Sequence, residues 1–89
     1  MRAIVTVIGK DRVGIIAFVC SLLAENDVNI LDISQTILQE YLTMVMLVDP
    51  TGCSKPFSEL SKSLKARGEE QQLSIRIQRE DIFMAMHRI

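Results

Sequence analysis

Residues 3–23 read AIVTVIGKDRVGIIAFVCSLL and contain a change of hydrophobic period that decides the fold. Residues 3–8 are β-branched and apolar, which is typical of a strand that is buried on both faces. Asp11 follows in a position to cap a helix that begins near residues 12–13. Apolar residues then recur at helical spacing and predict a buried helix face, formed by Ile16, Val19, Cys20 and Leu23. The segment therefore predicts a central strand followed at once by an amphipathic helix.

The next segment predicts the end of this helix and a β-hairpin. Asn26 or Asp27 can take the left-handed conformation that ends a helix. Residues 28–39 alternate between apolar and polar side chains, which predicts a strand with one buried and one polar face. The chain turns at residues 39–40, and residues 41–48 are apolar on both faces, which is typical of a second central strand. In the first strand of the hairpin, the face expected to be buried holds Leu31, Ile33 and Ile37.

The last third of the chain predicts a second helix, a fourth strand and a tail. The helix starts at Ser54, has Pro56 in its first turn and ends at Gly68. Its narrow apolar stripe consists of Phe57, Leu60 and Leu64. Residues 73–78 alternate in polarity and predict a half-exposed strand. Residues 81–89 form a short amphipathic tail that carries Ile82, Phe83, Met86 and Ile89.

The order β-α-β-β-α-β predicts an α+β fold, the ferredoxin-like sandwich. We expect a four-stranded antiparallel sheet with strands one and three in the middle, two helices on one face, and a short C-terminal helix. Residues 1–89 form a single domain, since a chain of this length has no room for two. The uncovered face of the central strands exposes aliphatic side chains, and such a patch indicates a partner surface. We therefore expect a homodimer in which the tail takes part.

The composition excludes several classes of function. Ten Lys and Arg residues against eleven Asp and Glu residues give a net charge of −1, without the basic excess of a nucleic-acid-binding protein. Strands one and three also lack the aromatic rings on which RNA-recognition modules stack bases. The longest nearly apolar run, residues 13–24, is shorter than the roughly 20 residues that cross a bilayer. We expect a cytoplasmic protein without membrane contact.

Side chains for catalysis or metal binding are not grouped in the sequence. His87 is the one histidine, and no nucleophile stands at a spacing that predicts a base beside it. Cys20 and Cys53 do not form a CxxC pair, so neither a zinc site, a metal carrier nor a disulfide is indicated. Arg12 and Asn29 superficially allow acyl-phosphate hydrolysis, as in acylphosphatases of this topology, but the surrounding sequence does not resemble theirs. We expect no enzyme, no metal and no cofactor.

Two clusters of residues point to a ligand site. Residues 9–15, GKDRVGI, lead into the first helix, whose free N–H groups and dipole attract a carboxylate. Gly14 either leaves space at that terminus or lets the helix pack closely on the sheet. Asn29 and Asp32 begin an edge strand that could join a second copy and offer oxygen atoms to a ligand's ammonium group. The alternative is that Asn29 serves a turn, and that Asp32 and Arg12 are solvated surface charges.

Residues 9–35, GKDRVGIIAFVCSLLAENDVNILDISQ, closely resemble the opening of an ACT domain, the small regulatory module of amino-acid metabolism. The features are a hydrophobic strand, D-R-x-G-I, a helix and V-N-I at strand two. The whole chain resembles stand-alone ACT proteins most, and in pattern also the glycine-cleavage-system repressor type. Val13 stands where Pro is frequent in the family, and Asp27 where Gly is frequent.

This resemblance implies a small-molecule ligand, an amino acid or a similar compound, held between the two subunits of a homodimer. The ligand contacts would fall on Asp11, Arg12, Val13, Gly14 and Ile15 of one subunit and on Asn29 and Ile30 of the other. The ligand would change the association of the subunits or a contact with a protein partner. The alternative is a dimerisation or protein-interaction module that binds no ligand.

Overall fold

A computed structural model describes residues 1–86, so His87 and Ile89 lie outside the described residues. The chain forms, in order, β1 (Ala3–Lys10), α1 (Ile15–Glu25), β2 (Asn29–Leu38), β3 (Tyr41–Asp49), α2 (Phe57–Glu70), β4 (Ser74–Arg79) and α3 (Glu80–Met86). The predicted β-α-β-β-α-β order with a C-terminal helix is confirmed. None of the helices in residues 1–86 is long and apolar enough to cross a membrane.

The four strands form one antiparallel sheet in the order β2-β3-β1-β4. The two strands that are apolar on both faces, β1 and β3, are the central ones, as their polarity predicts. Val5 of β1 lies opposite Met46 of β3 on one side and Ile77 of β4 on the other. The edges of the sheet are β2 and β4, and they carry different side chains.

The hydrophobic core lies between one face of the sheet and both helices. Side chains of α1 and α2 join those of the strands in a single apolar cluster, so both helices cover the same face. Its largest fully buried members are Leu22, Leu23, Met44, Met46, Leu60, Leu64, Ile75, Val5, Val7, Val19 and Val48. The other face of the sheet carries the partly exposed Ile4, Val45 and Leu47.

Helix α1 begins later and turns a different face inward than its sequence predicts. It begins at Ile15, not near residues 12–13, and its N-cap is Gly14, so Asp11 does not cap it. The buried residues are Ile15, Val19, Leu22 and Leu23, not the predicted set. Ile16 is 43% exposed, and Cys20 is only partly buried. The reason is that α1 is apolar around much of its circumference, so spacing alone leaves the inward face ambiguous.

Helix α2 also differs from the prediction at both ends. Its N-cap is Pro56, so the helix begins after Ser54. Gly68 does not end it, because the helix continues to Glu70 and the left-handed residue is Gln72, with φ 60°. Gly68 is buried against β4, and a Cβ atom added to it would lie 2.7 Å from Cγ1 of Ile75. This glycine therefore permits close packing of a helix on a strand.

The predicted hairpin is confirmed, but the predicted burial of one face of its first strand is wrong for the single chain. The left-handed residues are Asp27 (φ 58°), as predicted, and Gln39 (φ 54°), in the turn between β2 and β3. The predicted buried face of β2 is 47, 40 and 54% exposed, at Leu31, Ile33 and Ile37 respectively. Helix α1 approaches β2 but leaves residues 31–38 of this edge strand exposed. A β-bulge between Ile30 and Asp32 also leaves Leu31 without a partner on β3.

Candidate ligand-binding site

A cleft of about 220 Å³ lies between the N-terminus of α1 and the C-terminal half of β2. The loop from β1 to α1 forms one rim, and the edge strand forms the opposite wall. Most of the lining side chains are aliphatic. The lining residues are Asp11, Arg12, Gly14, Ile15, Ile16, Ala17, Gln35, Ile37 and Leu42.

The N-terminus of α1 is uncapped. The first hydrogen bond inside the helix runs from the N–H of Phe18 to the carbonyl of Gly14, at 2.9 Å. The N–H groups of residues 15–17 therefore have no acceptor within the helix. No side chain caps this end, and its first turn contains no acidic residue. The positive end of the helix dipole is thus open to an anion.

Gly14 is required by its backbone conformation. Its φ angle is 96°, a left-handed value that residues with a side chain rarely adopt. A Cβ atom added to Gly14 would meet no atom within 4 Å, so the helix does not need this glycine to pack on the sheet. The same open space gives a ligand access to the helix terminus.

Hydrogen bonds from Asp11 and Arg12 hold the loop that precedes Gly14. The N–H of Asp11 donates to the carbonyl of Glu40 in the hairpin turn, at 2.7 Å. The Nη2 atom of Arg12 donates to the carbonyl of Gln71, the C-cap of α2, also at 2.7 Å. The guanidinium group lies at the negative end of the α2 dipole, where a cation is stabilising. Arg12 is thus a tether between the loop and α2.

One chain does not bring the two predicted clusters together. Asn29 lies opposite Asp49 at one end of the hairpin, whereas Ile37 lies opposite Leu42 near the other end. Eight residues of strand separate them, about 26 Å at 3.3 Å per residue. Arg12 and Asn29, the pair that acyl-phosphate chemistry would need, are also at opposite ends of β2 within one chain.

The bulge in β2 decides which side chains share the face of the cleft. Ile30 lies opposite the buried Val48, so it points to the helix side of the sheet. Asp32 lies opposite Leu47, on the uncovered side, and its Oδ1 atom accepts a hydrogen bond from the N–H of Ile33 at 2.9 Å. The structure therefore does not bring Asp32 to the cleft, because alternation along the strand turns it away.

Sequence reasoning missed five lining residues, which are Ile16, Ala17, Gln35, Ile37 and Leu42. The two on β2 had a usable signal. A two-residue turn at 39–40 places residue 37 opposite residue 42, and strand alternation then puts residue 35 on the same face. The two on α1 had none, because their orientation depends on where the helix begins.

The other chemistry-bearing side chains do not form a site. Within residues 1–86, no three His, Cys, Asp or Glu side chains lie where they could hold a metal ion. Cys20 and Cys53 are free thiols, partly buried, and both pack against the hydrophobic core.

Comparison with known proteins identifies the family. A family model of the ACT domain matches residues 2–78. A UPF0237 protein of Listeria innocua is 53% identical over 89 residues, which are 100% of both chains. The solved structure of an ACT domain protein from Streptococcus pneumoniae is 43% identical, has a TM-score of 0.82 and aligns over 93% of each chain. The chain belongs to the ACT domain family, as its resemblance implied.

The ACT family consists of regulatory modules that bind small ligands. A solved chain assigned as a glycine cleavage system transcriptional repressor has a TM-score of 0.71 and 23% identity. The alignment covers 86% of our chain and 44% of that one. At this identity the similarity shows a common fold alone.

Proposed function

We propose that the chain is a cytoplasmic regulatory module that binds an amino acid, or a similar small ligand, at the interface of a homodimer. The observation that carries this proposal is the uncapped N-terminus of α1, which opens into a cleft walled by the unpaired edge of the sheet. The family supports the general role, and the geometry supports the ligand class.

The chemistry of the cleft suits a free amino acid. The N–H groups of residues 15–17 are donors for a carboxylate, and the carboxylate of Asp11 on the rim is an acceptor for an ammonium group. The aliphatic lining suits an apolar side chain. At about 220 Å³, the cleft is smaller than the roughly 300–1,000 Å³ of pockets for drug-sized molecules, so the ligand is small.

The edge strand β2 is the surface on which we place the second copy. It is ten residues long, and one side of its backbone is unpaired. The aliphatic side chains of Ile33 and Ile37 are 40% and 54% exposed on its helix side, and Val13 and Ile16 beside the cleft are also exposed. A long apolar edge of this kind is a template for pairing with another strand. A twofold pairing of β2 with itself would cover it.

The alternation of side chains limits how two β2 strands can pair. In an antiparallel pair, opposite residues must point to the same side of the sheet. A twofold axis at Ser34 satisfies this rule, because Ile33 then faces the partner's Gln35. Beyond the bulge, Ile30 faces the partner's Ile37, and Asn29 faces its Leu38. Of the second cluster, Ile30 thereby comes to the neighbour's cleft on the helix side, and each site is built from two chains. Asn29 lies beside it, but alternation places its side chain on the uncovered side.

Calorimetry with the twenty amino acids tests the ligand. We expect the wild-type chain to bind at least one of them. Gly14→Asp places a carboxylate at the helix terminus and should weaken binding roughly five- to thirtyfold relative to Gly14→Asn. The asparagine variant is the matched control, since it has the same size and the same backbone requirement without the charge. Equal affinities for both variants would contradict the carboxylate contact.

A mixing experiment tests whether two chains share the site. Gly14→Asp damages the helix side of the site, and Ile30→Ser damages the proposed contribution of the neighbour. A heterodimer of the two variants contains one site with both groups intact, so equal mixing with full subunit exchange should restore binding to about a quarter of all sites. If both variants form dimers and exchange subunits but mixing restores nothing, the site lies within one chain.

The alternative is a dimerisation or protein-interaction module without a ligand. It is supported by the exposed aliphatic residues, because a partner surface that buries them is favourable whether or not a ligand occupies the cleft. In that case calorimetry should detect no heat of binding with any of the amino acids, although the dimer forms. Helix α3, with Ile82 and Met84 47% and 61% exposed, would then contribute to assembly. Deleting residues 81–89 should change the oligomeric state or the solubility. Unchanged light scattering and melting would remove the tail from assembly.

A further inference from the structure

A second and larger groove follows the other edge of the sheet. It has a volume of about 610 Å³ and lies between the outer flank of α2 and the edge strand β4. Ser61, Lys65 and Glu69, which are one helical turn apart, line it from α2. Residues 74–78 of β4 and the two residues before this strand line it from the other side. This groove is separate from the α1–β2 cleft and does not belong to the proposed amino-acid site.

The backbone of β4 is open to a further strand. It pairs with β1 on one side and has no strand on the other. Ile75 and Ile77 are buried under α2, whereas Arg76 between them is exposed. An open edge strand offers backbone hydrogen bonds to an extended peptide, and a helix that flanks the strand forms pockets for the peptide's alternate side chains. The geometry therefore fits a peptide that adds to the sheet.

The charges of the groove favour an acidic peptide. Arg76 has no hydrogen bond or ion pair with any of residues 1–86, whereas the other four arginines in this range each have one, namely Arg2, Arg12, Arg67 and Arg79. Lys65 is likewise without a partner among the described residues. The single acidic residue that lines the groove is Glu69, and β4 itself contains none. Two unpaired cations thus lie beside unpaired strand backbone.

The same charges disfavour a second copy of this chain. If two β4 strands paired antiparallel with full overlap, alternation would place Arg76 directly opposite its own copy or diagonal to it. Like charges at these positions are destabilising, and charged residues on an edge strand are a common protection against self-pairing. The occupant must therefore carry the opposite charge.

We propose that the groove between α2 and β4 binds an acidic segment of another protein, in extended conformation, as a fifth strand on β4. The segment alternates acidic residues, which lie on the same side of the sheet as Arg76, with residues that point to the α2 side, where Lys65 lies. Because β2 and β4 are opposite edges, this interaction is independent of the proposed amino-acid site. A failure of one proposal therefore leaves the other intact.

Titration of the isotopically labelled full-length chain with two capped peptides tests the proposal by NMR. The acidic probe is acetyl-EVEVEV-amide, and the control is acetyl-KVKVKV-amide. We expect the acidic peptide to shift backbone resonances of β4 and of the α2 flank, and to bind more weakly as salt is added. Methylating alternate backbone nitrogens of the acidic peptide should abolish the strand pairing.

Charge reversal separates the groove from a general charge effect. Arg76→Glu should weaken binding roughly three- to tenfold, because an attraction between exposed charges becomes a repulsion. Lys10→Glu changes the net charge equally at the end of β1 and should leave the affinity unchanged. Since both side chains are exposed, both variants should keep the wild-type circular dichroism.

Several outcomes would overturn the proposal. They are no binding at millimolar peptide, equal affinity for the lysine peptide, shifts confined to β2, and an affinity that Arg76→Glu leaves unchanged. Anionic lipid vesicles provide a further arm. Vesicle binding that depends on Arg76, without any peptide binding, would mean that the groove between α2 and β4 binds a membrane surface, and it would contradict the peptide proposal.

Discussion

Two glycines with opposite roles show how much a single residue decides in this small domain. Gly14 stands in open space and is required by a left-handed backbone angle. Gly68 has an ordinary helical conformation and is required by the nearness of Ile75. The sequence predicts that Gly68 ends a helix, and for Gly14 it leaves open whether the residue gives space at the helix terminus or allows close packing on the sheet. The cause in each case is visible only once the neighbouring elements are in place.

Gly68→Ala should destabilise the protein although alanine is the better helix former. The new Cβ would lie 2.7 Å from Cγ1 and 2.9 Å from Cδ1 of Ile75. Overpacking of this kind costs about 1–3 kcal/mol, which exceeds the gain of about 1 kcal/mol in helix propensity. Urea denaturation should show a lower midpoint. In an Ile75→Ala background the same change should cost less, and an equal cost in both backgrounds would refute the clash.

Asp49 provides a pH-dependent contribution to stability. The hydroxyl and the N–H of Thr51 donate hydrogen bonds to its carboxylate, at 2.5 and 2.9 Å, and lower its pKa below the ordinary value of 3.8. Because the pKa is lower in the folded state, the contribution of Asp49 to stability is complete above the ordinary pKa of 3.8. It is lost as the pH falls through the lowered pKa. The free energy of unfolding should therefore lose this small contribution in that window.

Thr51→Val should raise the pKa of Asp49 toward 3.8, since it removes the larger of the two hydrogen-bond contributions. A carbon-detected NMR titration of the carboxyl group measures the midpoint directly. Thr43→Val, on the exposed surface of β3, is the matched control and should leave the midpoint in place. An unchanged midpoint in Thr51→Val would mean that the hydroxyl does not stabilise the carboxylate.

At the scale of elements, β2 is the strand whose sequence and surroundings disagree most. Its alternating pattern predicts a half-buried strand, yet residues 31–38 are all exposed in the single chain. The pattern is nevertheless meaningful if the aliphatic face is covered by a second copy. The proposed dimer resolves the disagreement without any change in the strand itself.

Charge on one face of β2 should break the dimer, and the same charge on the other face should not. Ile37 lies on the helix side and Thr36 on the uncovered side, where it would face the partner's Asp32 in the proposed register. We expect Ile37→Lys to be monomeric and Thr36→Lys to remain dimeric in light scattering. A dimer that survives Ile37→Lys would place the interface elsewhere.

At the scale of the whole molecule, polarity patterns were sufficient for the topology. The two doubly apolar runs predict the central strands, and the order of elements leaves few ways to connect them. The start of α1 could not be predicted in the same way. Asp11 has the chemistry of a cap, but its backbone N–H bonds to Glu40 across the sheet, and this long-range contact delays the helix to Ile15.

The candidate site was predictable to a similar degree. The loop from Asp11 to Ile15 follows from the motif, because a strand–loop–helix junction places free N–H groups wherever it occurs. The β2 wall of the cleft, Gln35 and Ile37, follows from the turn at residues 39–40. The faces on which Asn29 and Ile30 lie depend on the bulge at Leu31, which shifts the register by one residue. A bulge of this type has no marker in the sequence here, since Leu31 is an ordinary strand former.

The bulge residue Leu31 affects the bend of β2 without affecting which residues of β2 and β3 are paired. The pairs of β2 with β3 run without interruption on both sides of Leu31, so a chain without it could keep every pair. What the inserted residue changes is the bend and the coiling of the strand. In the proposed dimer, the angle at which one protomer's sheet meets the next is thus adjustable by insertion or deletion at one position, while the side chains of the proposed ligand site stay the same.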